Sequence, residues 1–510
     1  MIALALLCLP YATPATFPIQ DLGAIEKTLK RTADKAGFDN GGYDAAKALA
    51  NIQTEKAMEI RLEYYDKRLD TYRGVYLRDW FYSGMLKAQS VEETELLAKF
   101  AANKKASPLL RLLCIQALGR CPGPVKAKPL MHKNLLKCKD KDLFLAFQRA
   151  VGNAYTEGRI VLSGWRKKNP DSEVLDLLRS GAGIGLLSLR ELTTEDRKLL
   201  LTKGKEATSK NDRAEILRGL AARGDFNPEE LLPVIEAALR TEHTGLRAAA
   251  IEACLKKEIG FSVPHFIEAL AREVASEGNR FVVDYGNTLM QLTGLKLGRN
   301  PEVWERWWEN QGEEWLENGA KPTRGSMARP EEETKATLFG IPIHSNRVVF
   351  AVDGSGSMND PFGAGTAAEG ARNELEKLLN LLPENSLFDV IVIEREMISG
   401  LGKLSENSSK NKEKALELID RCEFSQASAL FDAMESLQTD WNADTIVLIG
   451  DGGSSWGKHQ YPGHLLEGLQ LLQTRYGTRI HCVAIGKAAK VRFLSSLSEL
   501  SGGTMVEPKG

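Results

Sequence analysis

Two successive patterns in the 510-residue sequence predict a multidomain protein: an all-α repeat segment, then an α/β domain whose mostly parallel sheet is flanked by helices. From about Gln20 to Gln291, apolar residues recur every three or four positions, the spacing of an amphipathic helix, and convincing strands are few. Beyond Thr337 the period changes, and near-continuous Val, Ile and Leu runs alternate with helical segments. Such runs are strands buried on both faces, which requires helices above and below the sheet. Between the two lies "ENGAKPTRGSMARPEEET", Glu317 to Thr334, polar and rich in Pro, Gly and charge, as an exposed linker is. The expected division is a leader at 1–15, helical repeats at 20–316, a linker at 317–336 and the α/β domain at 337–510.

Within the helical segment three stretches share an Arg, an aliphatic residue four positions on, then a small residue and an apolar one. They are "RLLCIQAL" from Arg111, "RAEILRGL" from Arg213 and "RAAAIEAC" from Arg247. Arg213 and Arg247 are 34 residues apart, and Arg111 and Arg213 are 102 apart, three times that period. "PVIEAAL" from Pro233 echoes "PHFIEAL" from Pro264. Helical self-similarity at a fixed period marks an α-solenoid, and the segment resembles HEAT-like repeats, with a short period for that class. Asn300-Pro301 can start a final helix whose Trp304, Trp307 and Trp308 share a face, with Trp315 beyond. That face suits a cap over the last apolar surface of the repeats better than an aromatic ligand box.

In the α/β domain the order is strand "RVVFAVD" from Arg347, helix from Glu369, strand "SLFDVIVIE" from Ser386 and helix from Asn411. Strand "DTIVLIGDGG" from Asp444, a helix from Gly463, strand "TRIHCVAIGK" from Thr478 and a helix from Arg492 complete it. Ligands of such sheets bind at the carboxyl ends of the strands. Two strands end there in an acid: the first in Asp353, followed by Ser355 and Ser357, and "DTIVLIGDGG" in Asp451. "EFSQASALFDAM" starts a helix at about Ser428, whose hydroxyl is expected at the same edge. Two carboxylates and three hydroxyls, without Cys or His, suit a hard cation: Mg²⁺ first, Mn²⁺ or Ca²⁺ next. Neutral hydroxyls leave such an ion under-neutralised, with affinity for one more anion.

Asp353-Gly354-Ser355-Gly356-Ser357 resembles the D-x-S-x-S motif of von Willebrand factor type A (VWA) domains, the metal-ion-dependent adhesion site (MIDAS). The resemblance covers roughly Thr337 to Gly510 and implies a Rossmann-like fold. In that family the serines ligate the metal, the first Asp and a later one act directly or through water, and a middle-loop Thr completes the set. Here the later Asp maps to Asp451 and the Thr to Ser428, in Gln426-Ala427-Ser428-Ala429-Leu430, where the family usually reads G-G-T-x-hydrophobic. The resemblance implies a non-enzymatic module that binds an Asp or Glu of a protein partner through the cation, with the helical repeats as a second scaffold. With its leader, repeats and Trp-rich cap, the chain resembles a group of exported bacterial proteins.

Other readings of the same residues are weaker. "GGSSWGK", Gly452 to Lys458, fits a phosphate-binding loop, but His459 stands where Ser or Thr would hold Mg²⁺ and Pro462 interrupts the helix. "GSSWG" places Ser455 as in a nucleophile elbow, the basis of an alternative serine hydrolase, yet Glu467 is the only acid between it and His481. An aspartate phosphatase would need an acid where Ser355 stands. A metal-free structural scaffold is the other alternative. Trp456 reads equally as a partner anchor and as a side chain tucked beneath its own loop.

A 43% hydrophobic, 26% charged composition excludes wholesale disorder, and a net charge of −1 gives no field for nucleic acid or anionic membrane. The lysines from Lys99 to Lys141 read as solvated helix faces. Seven dispersed cysteines without C-x-x-C read as small buried hydrophobes, and the seven histidines show no H-E-x-x-H spacing. "MIALALLCLPYATPATF" reads as a leader cleaved after Thr13-Pro14-Ala15, which predicts export; it lacks a basic n-region and is too short to span a bilayer.

Overall fold

The computed structural model describes residues 22–33, 40–65, 72–137, 141–154, 161, 187, 191–207, 209–276, 280–319, 336–441 and 443–509. The leader, with Cys8 and its cleavage site, lies outside the described residues, as do Cys138 and most of the linker at 317–336. Cys114, Cys121, Cys254 and Cys482 are buried, as small hydrophobes would be. Among the described residues no helix is long and apolar enough to cross a membrane.

The chain forms two compact units, Met1–Leu135 and Leu136–Gly510. The first contains α1 (Leu22–Ala33), α2 (Asn40–Leu49), α3 (Glu55–Tyr65), α4 (Tyr72–Leu86), α5 (Val91–Ala101) and α6 (Pro108–Leu118). Start signals are encoded locally. Ser90 and Glu93 form a reciprocal capping box on α5, and Ser107 caps α6 ahead of Pro108.

The second unit begins with helices: α7 (Lys141–Asn153), α8 (Thr194–Glu206), α9 (Lys210–Ala222), α10 (Pro228–Leu239), α11 (Thr244–Lys257), α12 (Val263–Ala275), α13 (Arg280–Thr293) and α14 (Pro301–Glu317). Thr193, Ser209, Asn227 and Asn300 stand at N-cap positions. The three echoed arginines share one job. From the first turn of its helix, each donates its Nε–H to a carbonyl at the end of the preceding helix or the turn after it. Arg111 bonds Ala101 at 3.0 Å, Arg213 bonds Gly204 at 3.2 Å and Arg247 bonds Thr241 at 2.6 Å. A cation there meets the negative end of the helix dipole, so the echo encodes a hairpin joint. Trp304 on α14 is buried against the unit and donates its indole N–H to the Gly298 carbonyl at 2.9 Å. Trp307 and Trp308 are half-buried beside it, and α14 packs on α12.

The rest of this unit is α/β. Two small antiparallel pairs, β1 (Thr337–Leu338) with β2 (Ile341–Pro342) and β4 (Pro361–Phe362) with β5 (Gly365–Thr366), flank β3 (Arg347–Asp353). The main sheet adds β6 (Leu387–Ile393), β7 (Met397–Ser399), β8 (Ser405–Glu406), β9 (Thr445–Gly450), β10 (Arg479–Ala484) and β11 (Met505–Val506). Its order is β11-β10-β9-β3-β6-β7, with β8 also on β6; only the pairings of β7 and β8 are antiparallel. Alternate residues of β3 enter two cores. Val348, Phe350 and Val352 pack with Leu375 and Leu378 of α15 (Ala367–Leu381) and Ala415 of α16 (Ser409–Arg421). Val349 and Ala351 face Met434 of α17 (Leu430–Thr439), Leu465 of α18 (Pro462–Tyr476) and Leu494 of α19 (Val491–Ser501). Pro462 thus opens a helix at its first position, where its missing N–H costs nothing, and interrupts none.

The helices of this unit grip the sheet at the amino ends of β9 and β10. The buried Arg280 guanidinium donates to the carbonyls of Asp444, at 2.7 Å, and Gly477, at 2.9 Å, and pairs with Asp284 at 3.0 Å. Arg479 closes on the other Asp284 oxygen at 2.7 Å. Burial alone would raise the Asp284 carboxyl, but Arg479 and Arg280 outweigh it and hold it below the usual range. Arg475 of α18 pairs in the same manner with Asp212 and Glu215 of α9. Removing one partner of such a buried cluster strands the others. Asp284→Ala is therefore expected to lower unfolding free energy by about 3–5 kcal/mol, measured by urea denaturation followed by tryptophan fluorescence. A loss below about 1 kcal/mol would show the grip to be dispensable.

Candidate functional site

The site grows from the carboxyl end of β3. Asp353 lies between β6 and β9, and its side chain is 3% exposed. Gly354 donates its N–H to the Ile393 carbonyl at 2.9 Å, and a Cβ there would meet that oxygen at 2.7 Å, so the chain can turn close against β6 only without a side chain. The turn runs into a short 3₁₀ segment, Gly356–Asn359, which brings both serines back over the acid. Asp353 accepts from the Ser355 N–H at 3.1 Å and from its hydroxyl at 2.9 Å, and the Ser355 and Ser357 oxygens lie 2.9 Å apart.

Asp451 follows β9 and accepts from the Gly453 N–H at 2.6 Å, while its own carbonyl receives the Lys490 N–H at 2.7 Å. Its charge acts on Asp353. Burial first, then Asp451, raises the Asp353 carboxyl to about 7, against hydrogen bonds from Ser355 and Ser428 that lower it. Ser428 is 2% exposed, and its side chain acts on Asp353 to lower the carboxyl. It sits in a loop two residues before α17 rather than at the start of the helix expected from the sequence. Asp353, Ser355, Ser357, Ser428 and Asp451 thus meet at one sheet edge. Their chemistry fits a hard divalent cation: five oxygen-bearing side chains from three loops, two of them mutually repelling carboxylates.

Several supporting residues escaped the sequence reading. The Ser428 carbonyl accepts from the N–H groups of Ser455, at 2.9 Å, and Trp456, at 3.1 Å, and the Ser455 hydroxyl accepts from the Ser428 N–H at 3.1 Å. Ser454 adds a hydroxyl bond to the same carbonyl at 3.3 Å. The Glu394 carbonyl takes the Ala429 N–H at 2.8 Å, and Asn359 bonds the Phe424 carbonyl at 3.0 Å, where the backbone is left-handed at φ 47°. A bulky residue in that conformation stores strain, so the loop before Ser428 is fixed from outside. The Gly-Ser-Ser run that imitates a nucleophile elbow was the only visible trace of this clamp.

The decoys have ordinary positions. Ser455 faces the Ser428 loop, and His481 lies in β10 with its Nδ1 accepting the Thr504 N–H at 3.0 Å. Lys458 pairs with Glu435, and its N–H contacts Asp432. Trp456 is half-buried beneath Arg395, whose guanidinium carbon lies 5.0 Å from the ring centroid. A further acid, Asp389, is buried inside β6 and raised by burial to about 6, with Ser399 and two backbone N–H groups as donors.

No family model matches the sequence, and no curated protein matches it. Among solved structures, a von Willebrand factor type A protein from Catenulispora acidiphila is similar over 33% of this chain, at 19% identity and a TM-score of 0.28. The match spans 40% of that structure's own length. An aerotolerance-related membrane protein from Bacteroides fragilis is similar over 32% of this chain and 91% of its own, at 14% identity and a TM-score of 0.26. The RO (RSR) protein of Deinococcus radiodurans covers 96% of both chains at 14% identity and a TM-score of 0.20. Likenesses this distant assign no activity.

Gly450 is the point where β9 makes room for the acid, since a Cβ there would lie 2.5 Å from the Asp353 Cβ. Gly450→Ala is expected to cost about 1–3 kcal/mol through overpacking against a backbone that cannot yield. An unchanged urea midpoint would refute this close approach.

Proposed function

We propose that the C-terminal domain is a metal-dependent protein-binding module of the MIDAS type. Asp353, Ser355, Ser357, Ser428 and Asp451 would hold Mg²⁺, with Mn²⁺ or Ca²⁺ as substitutes, and an Asp or Glu of a protein partner would complete the ion's shell. The observation that carries this reading is the convergence on buried Asp353 of Ser355, Ser357 and Ser428, with Asp451 close enough to raise it. When bound, the cation supplies charge that two adjacent carboxylates need and an attraction for one more anion. The chain's part is to aim the oxygens and to fix the Ser428 loop through Ser454, Ser455 and Glu394. The helical repeats serve as a second interaction scaffold, and the protein works outside the cytoplasm. No catalytic role is proposed. The Ser455 hydroxyl is engaged at the Ser428 backbone, which favours a positioning part over a nucleophilic one.

A saturating divalent ion should stabilise the chain by about 2.7 kcal/mol at one hundred times its Kd. Mg²⁺ and Mn²⁺ are expected to raise the melting temperature of the wild type, and Asp353→Ala and Ser355→Ala to remove most of that rise. A melting temperature indifferent to either metal would leave the metal-free scaffold as the better description. Covalent labelling by a fluorophosphonate, lost in Ser455→Ala, would instead support the hydrolase. Partner capture from an exported fraction is expected to disappear in EDTA.

A further inference from the structure

The rim of the site carries a cation whose hydrogen-bonding capacity is unspent. Arg395, at the tip of the turn between β6 and β7, is exposed, and its guanidinium carbon lies over the Trp456 ring at 5.0 Å from the centroid. Both are tied to the Ser428 loop: the Trp456 N–H bonds the Ser428 carbonyl at 3.1 Å, and the Glu394 carbonyl beside Arg395 takes the Ala429 N–H at 2.8 Å. A guanidinium attracted to an aromatic ring without other partners keeps its N–H donors for a planar, bidentate acceptor. Among the described residues, Arg395 makes no hydrogen bond or ion pair with those donors. The neighbouring Glu394 carboxylate is turned away to the Cys422 thiol at 3.5 Å.

We propose that Arg395, held over the Trp456 ring, is a second recognition point for the same partner. An acidic protein segment would present one carboxylate to the cation and a second to the edge of the Arg395 guanidinium. The inference rests on the cation-binding reading of Asp353, Ser355, Ser357, Ser428 and Asp451. Charge complementarity selects this occupant, because Arg395 sits beside the Ser428 loop and a divalent ion held there would form a positive pair with it. Glu396, exposed on the same turn, opposes a second acid and makes the arginine's contribution decisive.

The test uses the full chain with Mg²⁺ binding first verified by calorimetry. Fluorescein-labelled Gly/Ser peptides would carry one Asp, or two Asp residues separated by one to four positions. The best-spaced two-acid peptide is expected to bind about fivefold tighter than the one-acid peptide, the scale of a well-formed exposed ion pair. Arg395→Ala should bring that ratio to one without changing the Mg²⁺ heat or one-acid binding, and Arg395→Lys should restore little of it. Glu396→Gln should enlarge the ratio. Equal wild-type affinities, equal losses for both peptides in Arg395→Ala, or no peptide binding to the Mg²⁺-loaded chain would each overturn the proposal while leaving the cation reading intact. Absence of Mg²⁺ heat would instead remove that reading and this one with it.

Discussion

The burial of one carboxylate governs this molecule's most distinctive region. Asp353 is the last residue of a strand hydrogen-bonded on both sides, with helices over both faces, so its charge has almost no water to stabilise it. A group in that position must be neutralised by a proton, by hydroxyl donors or by a cation. The surroundings supply hydroxyls, and the second acid at Asp451 raises the demand for positive charge. Gly354 and Gly450 leave room for the acid, the 3₁₀ turn returns two serines to it, and the Ser428 loop is clamped by hydrogen bonds from a neighbouring loop.

That clamp redistributes responsibility in the site. A middle loop built on Gly-Gly-Thr has its own turn geometry, whereas Gln426-Ala427-Ser428 has no glycine to relax it. Its shape is instead imposed from both sides, by Ser454, Ser455 and Trp456 through the Ser428 carbonyl and by Glu394 through the Ala429 N–H. Residues that look like a nucleophile motif in one dimension are in three dimensions a splint. The splint fixes the Ser428 loop without glycines or a β-branched side chain in it.

Legibility followed the range of the interactions involved. Helix periodicity, Ser and Asn caps and the change from a helical to a strand period are local, and the α then α/β layout was readable from them. The strand-end acids were readable because parallel topology puts carboxyl ends at one edge, and the strand order β9-β3 makes Asp353 and Asp451 neighbours there. The exact start of α17 was not, since Ser428 competes for backbone donors and acceptors brought from Ser454 and Ser455, more than twenty residues away. Pro462 reads in the sequence as a helix breaker because a proline at the first position of a helix and one that breaks a helix look alike without the register. Least visible was the arginine grip. Asp284, Arg280 and Arg479 are unremarkable in the sequence and acquire meaning only when a helix is packed against the amino ends of two strands.

That grip has a mechanical consequence. It holds β9 and β10 at their starting ends, while Asp353 lies at the finishing end of the neighbouring β3. Tension drawn from the Asp353 rim toward the helices can cross from β3 to β9 through the successive hydrogen bonds between these strands, beside the covalent path that leads from β3 back to α14. Those bonds bear it together in shear instead of opening one at a time like a zip. A sheet anchored at one rim and loaded at the other would resist through the β3–β9 ladder and the guanidinium bolts at its base as well as through its backbone.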